Sequence, residues 1–155
     1  MNTVAWALMV FAGVGVVVWL LSFVVEALRP AAKPPAKLRW EPNIPIEYVE
    51  VKGNRLRYIK IGKGPTLVLL HTLRTQLDLF EKVVPELAKS FTVYAIDYPG
   101  HGYSDIPDGP YDADFFVDVV TRMLDVLDLR SVTLCGVSIG EIGRASCRER
   151  VCQYV

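Results

Sequence analysis

The chain has 155 residues, with 17 basic and 17 acidic side chains and a formal charge of zero. That length allows one modest domain, and nothing in the even charge balance suggests a nucleic-acid binder, which usually shows a basic face or stripe. The three cysteines, Cys135, Cys147 and Cys152, are too few and too irregularly spaced for a disulfide framework or a zinc site. No metal and no organic cofactor is expected.

From Val4 to Val25 no residue is charged, a run of 22 residues. As a helix this run is roughly 33 Å long at ~1.5 Å per residue, enough to cross a hydrocarbon core of ~30 Å. Trp6 and Trp19 lie toward its two ends, where amphipathic rings favour the interface. The alternative is a cleaved signal peptide. It fits less well, because no Lys or Arg precedes the run and the run exceeds the usual ~7–15 apolar residues. Residues 1–28 therefore read as an anchor that meets the lipid bilayer through residues 4–25. Arg29, Lys33, Lys37 and Arg39 all follow the run. Positive charge tends to stay on the cytoplasmic side, so a single-pass protein with a cytoplasmic C-terminal part is expected. Residues 29–45, with Pro30, Pro34 and Pro35 close together, read as an extended Pro/Lys linker.

Ile46-Glu47-Tyr48 begins an apolar/polar alternation whose phase slips at Val49, compatible with a bulge or twist in an edge strand. Gly53-Asn54 is a two-residue turn signal, and Arg55 to Ile61 alternates again, so the pair reads as an antiparallel hairpin. Thr66 to Leu70 is a mostly apolar run, of the kind that suits a strand covered on both faces. Asp78 to Ala88 reads as a helix that Pro85 kinks or splits. Phe91 to Ile96 is the next strand. A loop from Tyr98 to Pro110 follows, then a helix from Asp112 to Leu127, with Phe116, Val119, Val120, Met123 and Leu124 among its apolar positions, and a strand from Ser131 to Cys135. Strands alternating with helices imply an α/β fold with a mostly parallel sheet, and the leading hairpin adds antiparallel strands at one edge.

Gly136-Val137-Ser138-Ile139-Gly140 follows the last of these strands and matches G-x-S-x-G. In such an elbow the chain turns sharply from strand to helix, with the serine strained and its hydroxyl exposed, and glycine relieves the crowding on either side. Two further signposts precede it: His71-Thr72-Leu73 at a strand end, and Asp97-Tyr98-Pro99-Gly100-His101-Gly102-Tyr103-Ser104-Asp105, a D-x-P-G-x-G-x-S loop. With these three motifs, residues 46–140 resemble the first part of an α/β-hydrolase domain of the serine-nucleophile branch. The resemblance implies that Ser138 is the nucleophile and that the backbone N–H groups of Leu73 and Ile139 form the oxyanion hole. His71 would support the oxyanion turn and Asp97 would organise its own loop. Thr72 stands where the family has glycine, which could reshape the oxyanion hole or the pocket. Arg74 could recognise an anionic substrate or be a surface arginine. The family's chain order is serine, then acid, then histidine, and both histidines of this chain precede Ser138, so the acid and base are expected beyond it.

After Gly140 the resemblance stops. Glu141, Arg144, Arg148, Glu149 and Arg150 are costly on a helix that should pack under a sheet. Ile142 to Val151 reads IGRASCRERV, similar to a translation of ATC GGA AGA GCG TCG TGT AGG GAA AGA GTG, a common short-read sequencing adapter. Residues 141–155 thus read as a non-native tail. An N-terminal fragment of this kind leaves one edge of its sheet open, and poor stability and no activity are expected of it. For the intact protein, the resemblance implies a membrane-anchored serine hydrolase acting on a small-molecule acyl substrate such as an ester or thioester. The alternative is a non-catalytic, membrane-tethered binding protein that keeps the fold.

Overall fold

The computed structural model describes residues 2–30, 33–41, 43–138 and 152–153. The expected tail, apart from Cys152 and Gln153, and the expected oxyanion donor Ile139 lie outside the described residues. The chain divides into two units, Met1–Pro34 and Pro35–Val155.

In the first unit, helix α1 runs from Thr3 to Ala27. Asn2 caps its start, its side-chain oxygen accepting from the Val4 N–H at 3.5 Å. The stretch Trp6–Ala27 has a mean hydropathy of 2.6 and none of it is buried. Apolar side chains face outward on every side, including Phe11, Val14, Val18 and Leu21, as befits a helix with no polar stripe. By length and composition α1 can cross a membrane, and an N-terminal signal sequence meets the same description.

The second unit is built on six strands: β1 (Ile46–Val51), β2 (Asn54–Ile61), β3 (Thr66–Leu70), β4 (Thr92–Ile96), β5 (Val132–Gly136) and β6 (Cys152–Gln153). Their spatial order is β1-β2-β4-β3-β5-β6. The hairpin β1–β2 is antiparallel, as is β2 against β4, whereas β3–β4, β3–β5 and β5–β6 are parallel. The expected sheet is thus observed, with its hairpin at one side. β5 does not have the wholly open edge expected of it: β6 pairs with Val132 and Thr133.

Each face of the sheet has its own core. Val49, Val51, Leu56, Tyr58, Val68, Leu70, Tyr94, Ile96 and Leu134 point to one face. Helix α3 (Ala113–Val126) covers it with Phe116, Val119, Val120, Met123 and Leu124. That spacing makes one apolar stripe, and Asp112 caps the helix by accepting from the Phe115 N–H at 2.9 Å. Ile59, Leu67, Leu69, Val93 and Ala95 point to the opposite face, against Leu38, Ile44, Leu77, Phe80 and Val84.

Four sequence expectations are corrected here. The hairpin turn is Lys52-Gly53, one residue earlier than expected, both at positive φ (54° and 76°), which is the two-residue turn that follows the twist of its strands. β1 carries no bulge, since Ile46 to Val51 pair in unbroken register with Ile59 to Asn54. Its phase slip arises because Ile46 serves one core and Val49 and Val51 serve the other. The helix expected over 78–88 is a 3-10 turn, Leu77–Phe80, followed by a four-residue helix α2, Val84–Leu87. Pro85 sits in the first turn of α2, where its missing N–H costs nothing. Finally, the expected linker 29–45 is not free throughout. Leu38 and Ile44 are buried, and the Trp40 indole N–H donates to Asp78 at 2.7 Å.

Candidate active site

β3 and β5 lie side by side and run in the same direction, with Leu70 opposite Gly136. The ladder continues one step further, the Val137 N–H donating to the Leu70 carbonyl at 3.0 Å. Both strands therefore release their loops at the same end of the sheet. From β3 the chain goes to β4 on one side, whereas β6 lies on the other side of β5. The β3/β5 boundary is thus where the strand order reverses, and crevices at such points are the usual ligand sites of open α/β sheets.

Ser138 follows directly, exposed and with φ +57°. A side chain held in the left-handed region costs of order 1 kcal/mol or more and persists only where the surroundings impose it. Val137 beside it is anchored to β3 through its N–H, so the bend falls on Ser138. On the neighbouring strand, His71, Thr72 and Leu73 form the turn after β3. The left-handed residue of this turn is Arg74 (φ +60°), not Thr72. Without a positive φ, position 72 has no conformational need for glycine, and the departure from the family pattern is accommodated. Leu73 and Arg74 are exposed.

His71 is fully buried and holds this turn in place. Its Nε2 accepts from the Tyr98 N–H at 3.0 Å. That assigns the ring proton to Nδ1, which donates to the Thr72 carbonyl at 2.7 Å. The Thr75 hydroxyl donates to the same carbonyl at 2.7 Å. Burial, the dominant influence, holds the His71 pKa below 6.5, against the opposing effects of the Thr72 bond and the Asp97 charge. A neutral imidazole with both nitrogens engaged ties the β3 turn to the loop after β4 and has no nitrogen free to serve as a base. His101, whose ring centroid is 5.4 Å from that of His71, has Nδ1 3.0 Å from the Pro99 carbonyl.

Asp97 organises its loop, and more. One carboxylate oxygen accepts from the Leu77 N–H at 2.7 Å. The other accepts from the Tyr103 N–H at 3.0 Å and from Arg57 Nε at 2.6 Å. The Ser104 hydroxyl accepts from the Arg57 N–H at 2.9 Å and donates to the Asp97 carbonyl at 2.8 Å. Gly102 (φ +55°) leaves room for this cluster, since a Cβ there would lie 1.9 Å from Asp97 Oδ2. Arg57 and Asp97 are both fully buried. Arg57 was not foreseen from the sequence, where a charged residue in an alternating strand reads as solvent-facing. Its signal was parity, because Arg57 shares its face with Ile59 and Ile61, both on the second core.

These observations place Ser138 and Leu73 on loops that leave neighbouring strands at one end of the sheet. They also supply the supports, His71, Asp97 and Arg57, that fix the loop geometry. Among the described residues no group of three or more potential metal ligands occurs.

Residues 65–140 match the family described as alpha/beta hydrolase fold. An uncharacterized protein of Mycobacterium tuberculosis is 34% identical over 95 residues, which are 61% of this chain and 28% of that protein. A 2-(acetamidomethylene)succinate hydrolase of Mesorhizobium japonicum is 32% identical over 79 residues, 51% of this chain and 28% of that enzyme. The crystal structure of the enol-lactonase from Burkholderia xenovorans superposes with a TM-score of 0.62 at 31% identity, covering 65% of this chain and 40% of the enzyme. The chain thus spans roughly a third of the length of these relatives. With this sheet order, this match and these neighbours, the chain belongs to the α/β-hydrolase fold family.

Proposed function

We propose that the intact protein is a membrane-anchored serine hydrolase that transfers the acyl group of an ester, thioester or related small molecule to water, with Ser138 as its nucleophile. The observation that carries this reading is the left-handed, exposed Ser138 at the carboxyl end of β5, within G-V-S-I-G. The relatives named as a hydrolase and an enol-lactonase support acyl chemistry. Ser138 Oγ attacks the substrate carbonyl, and its proton passes to a histidine supplied, in the family's order, after the elbow and its acid. The carbonyl oxygen gains negative charge as the tetrahedral intermediate forms. The N–H groups of Leu73 and Ile139 receive that charge, each donor contributing roughly 3–4 kcal/mol to the transition state. Neutral His71 holds the Leu73 turn without placing a competing cation beneath it.

The bilayer is the second partner in this reading. Residues 4–25 span it, and Arg29, Lys33, Lys37 and Arg39 keep the sheet domain on the cytoplasmic side. The 155-residue chain has no histidine after Ser138, and on this reading it does not turn over esters. The test is hydrolysis of a panel of short- and long-chain p-nitrophenyl esters by the product of the uninterrupted reading frame, purified from membranes. Turnover should be abolished in Ser138→Ala. Turnover that survives this substitution, or none in the parent with any acyl substrate, overturns the reading.

A further inference from the structure

At the same end of the sheet, over β2, a cleft of about 290 Å³ is lined by Lys37, Arg39, Arg57, Gln76, Asp78 and Tyr103 among others. Its wall carries three cations and one carboxylate. That carboxylate is already engaged: Asp78 Oδ1 accepts from the Trp40 indole at 2.7 Å and Oδ2 lies 3.5 Å from Arg57 Nη2. Asp97, behind the wall, is saturated by Arg57 Nε and two backbone N–H groups. Arg57 nonetheless keeps a buried Nη1 with no acceptor, and buried donors are nearly always matched. Lys37 and Arg39 are exposed, and neither has an ion-pair partner among the described residues. Tyr103 covers one face of the guanidinium, its ring centroid 4.7 Å from Cζ.

We propose that this cleft binds a phosphate group. With Asp78 and Asp97, the two carboxylates that pair with Arg57, counted against the three cations, the cleft keeps a surplus of one positive charge, carried by the exposed Lys37 and Arg39 and opposite in sign to the charge of about −1.5 to −2 on a phosphomonoester at neutral pH. Phosphate oxygens accept the forked donors of arginine and the point charge of lysine together. The volume exceeds what one phosphate fills, so the group can arrive with an alcohol attached. The same chemistry is offered by a free phosphomonoester and by the headgroup of an anionic phospholipid. The proposal does not depend on catalysis at Ser138, and failure of either reading leaves the other standing.

The experiment uses the full-length, isotope-labelled protein in phosphatidylcholine nanodiscs, titrated with inorganic phosphate and with glycerol 3-phosphate. Saturable shifts are expected at the amides of Lys37, Arg39 and Tyr103 and at Arg57 Nε. The double variant Lys37→Ala/Arg39→Ala alters only exposed side chains. It should weaken binding about tenfold or more, the scale of losing charge-assisted contacts. Gln76→Glu, which sets a carboxylate beside Arg57, should abolish binding. In nanodiscs containing phosphatidic acid, a headgroup ligand would produce the same shifts before any phosphate is added, and a soluble ligand would not. Absence of saturable shifts in both kinds of nanodisc, or unchanged affinity in the double variant, overturns the proposal.

Discussion

Replacing Asp97 by alanine tests the scaffold beneath the candidate site. The carboxylate is fully buried and takes three donors: Arg57 Nε at 2.6 Å, the Leu77 N–H at 2.7 Å and the Tyr103 N–H at 3.0 Å. Its removal takes the nearest carboxylate from a buried guanidinium and leaves it Asp78 at 3.5 Å; deleting one partner of a buried pair costs about 3–5 kcal/mol. The two N–H groups lose their acceptor at about 1 kcal/mol each. All three share one acceptor, so the costs do not add in full, and a loss of about 4–6 kcal/mol is expected. That is comparable with the whole stability of an ordinary domain, about 5–15 kcal/mol. Arg57→Met in the same background removes the underpaired charge and should recover at least ~2 kcal/mol. The assay is hydrogen exchange of peptides covering β3 and β4 in the detergent-solubilised full-length protein, since these amides sit at the centre of the sheet. A loss under ~1 kcal/mol for Asp97→Ala, or a double variant no better than the single, would refute the argument that this pair anchors the loops.

Three further outcomes follow from individual residues. The pKa of His71 is lower in the folded chain than its ordinary 6.5, so between the two values the unfolded chain binds more protons and stability rises with pH. Its contribution should be complete above about pH 6.5 and lost as pH falls through the folded value, a slope that melting curves from pH 7.5 to 5 would show and His71→Gln would remove. Gly102→Ala places a Cβ 1.9 Å from Asp97 Oδ2 at φ +55° and should cost about 2 kcal/mol or more by denaturant titration, with equal stability counting against the close approach. Ser138→Gly relieves the left-handed backbone (φ +57°) and should raise stability by about 1 kcal/mol, whereas Ser138→Ala should not. Equal effects of the two would show that the bend carries no strain.

The parts of this fold that were legible in the sequence are those with a local signature. Thr66 to Leu70 and Thr92 to Ile96 are apolar runs because they lie mid-sheet, covered on both faces, and the stripe from Phe116 to Leu124 announces a helix packed on one side. The strained bend at Ser138 was readable because glycine flanks it at 136 and 140. What a local pattern hides depends on partners distant in sequence. Arg57 shares the parity of Ile59 and Ile61, but only Asp97, 40 residues later, gives its charge a partner inside. Leu38 and Ile44 sit in a Pro-rich stretch that looks like a spacer, yet the second core, built from β2, β3 and β4, gives them somewhere to bury. Asparagine, a good turn former, follows Lys52-Gly53 and draws the expected turn one residue late. Asn54 instead pairs with Val51 in the ladder and donates from its side chain to the Lys52 carbonyl at 3.0 Å.

The most direct test of a nucleophilic Ser138 is covalent capture. Membranes bearing the product of the uninterrupted reading frame would be treated with a fluorophosphonate probe and the modified peptide located by mass spectrometry. The account predicts one adduct, on the oxygen of Ser138, absent after heat denaturation and absent in Ser138→Ala. An unmodified Ser138 in folded protein, or an adduct that persists in the alanine variant, would contradict it.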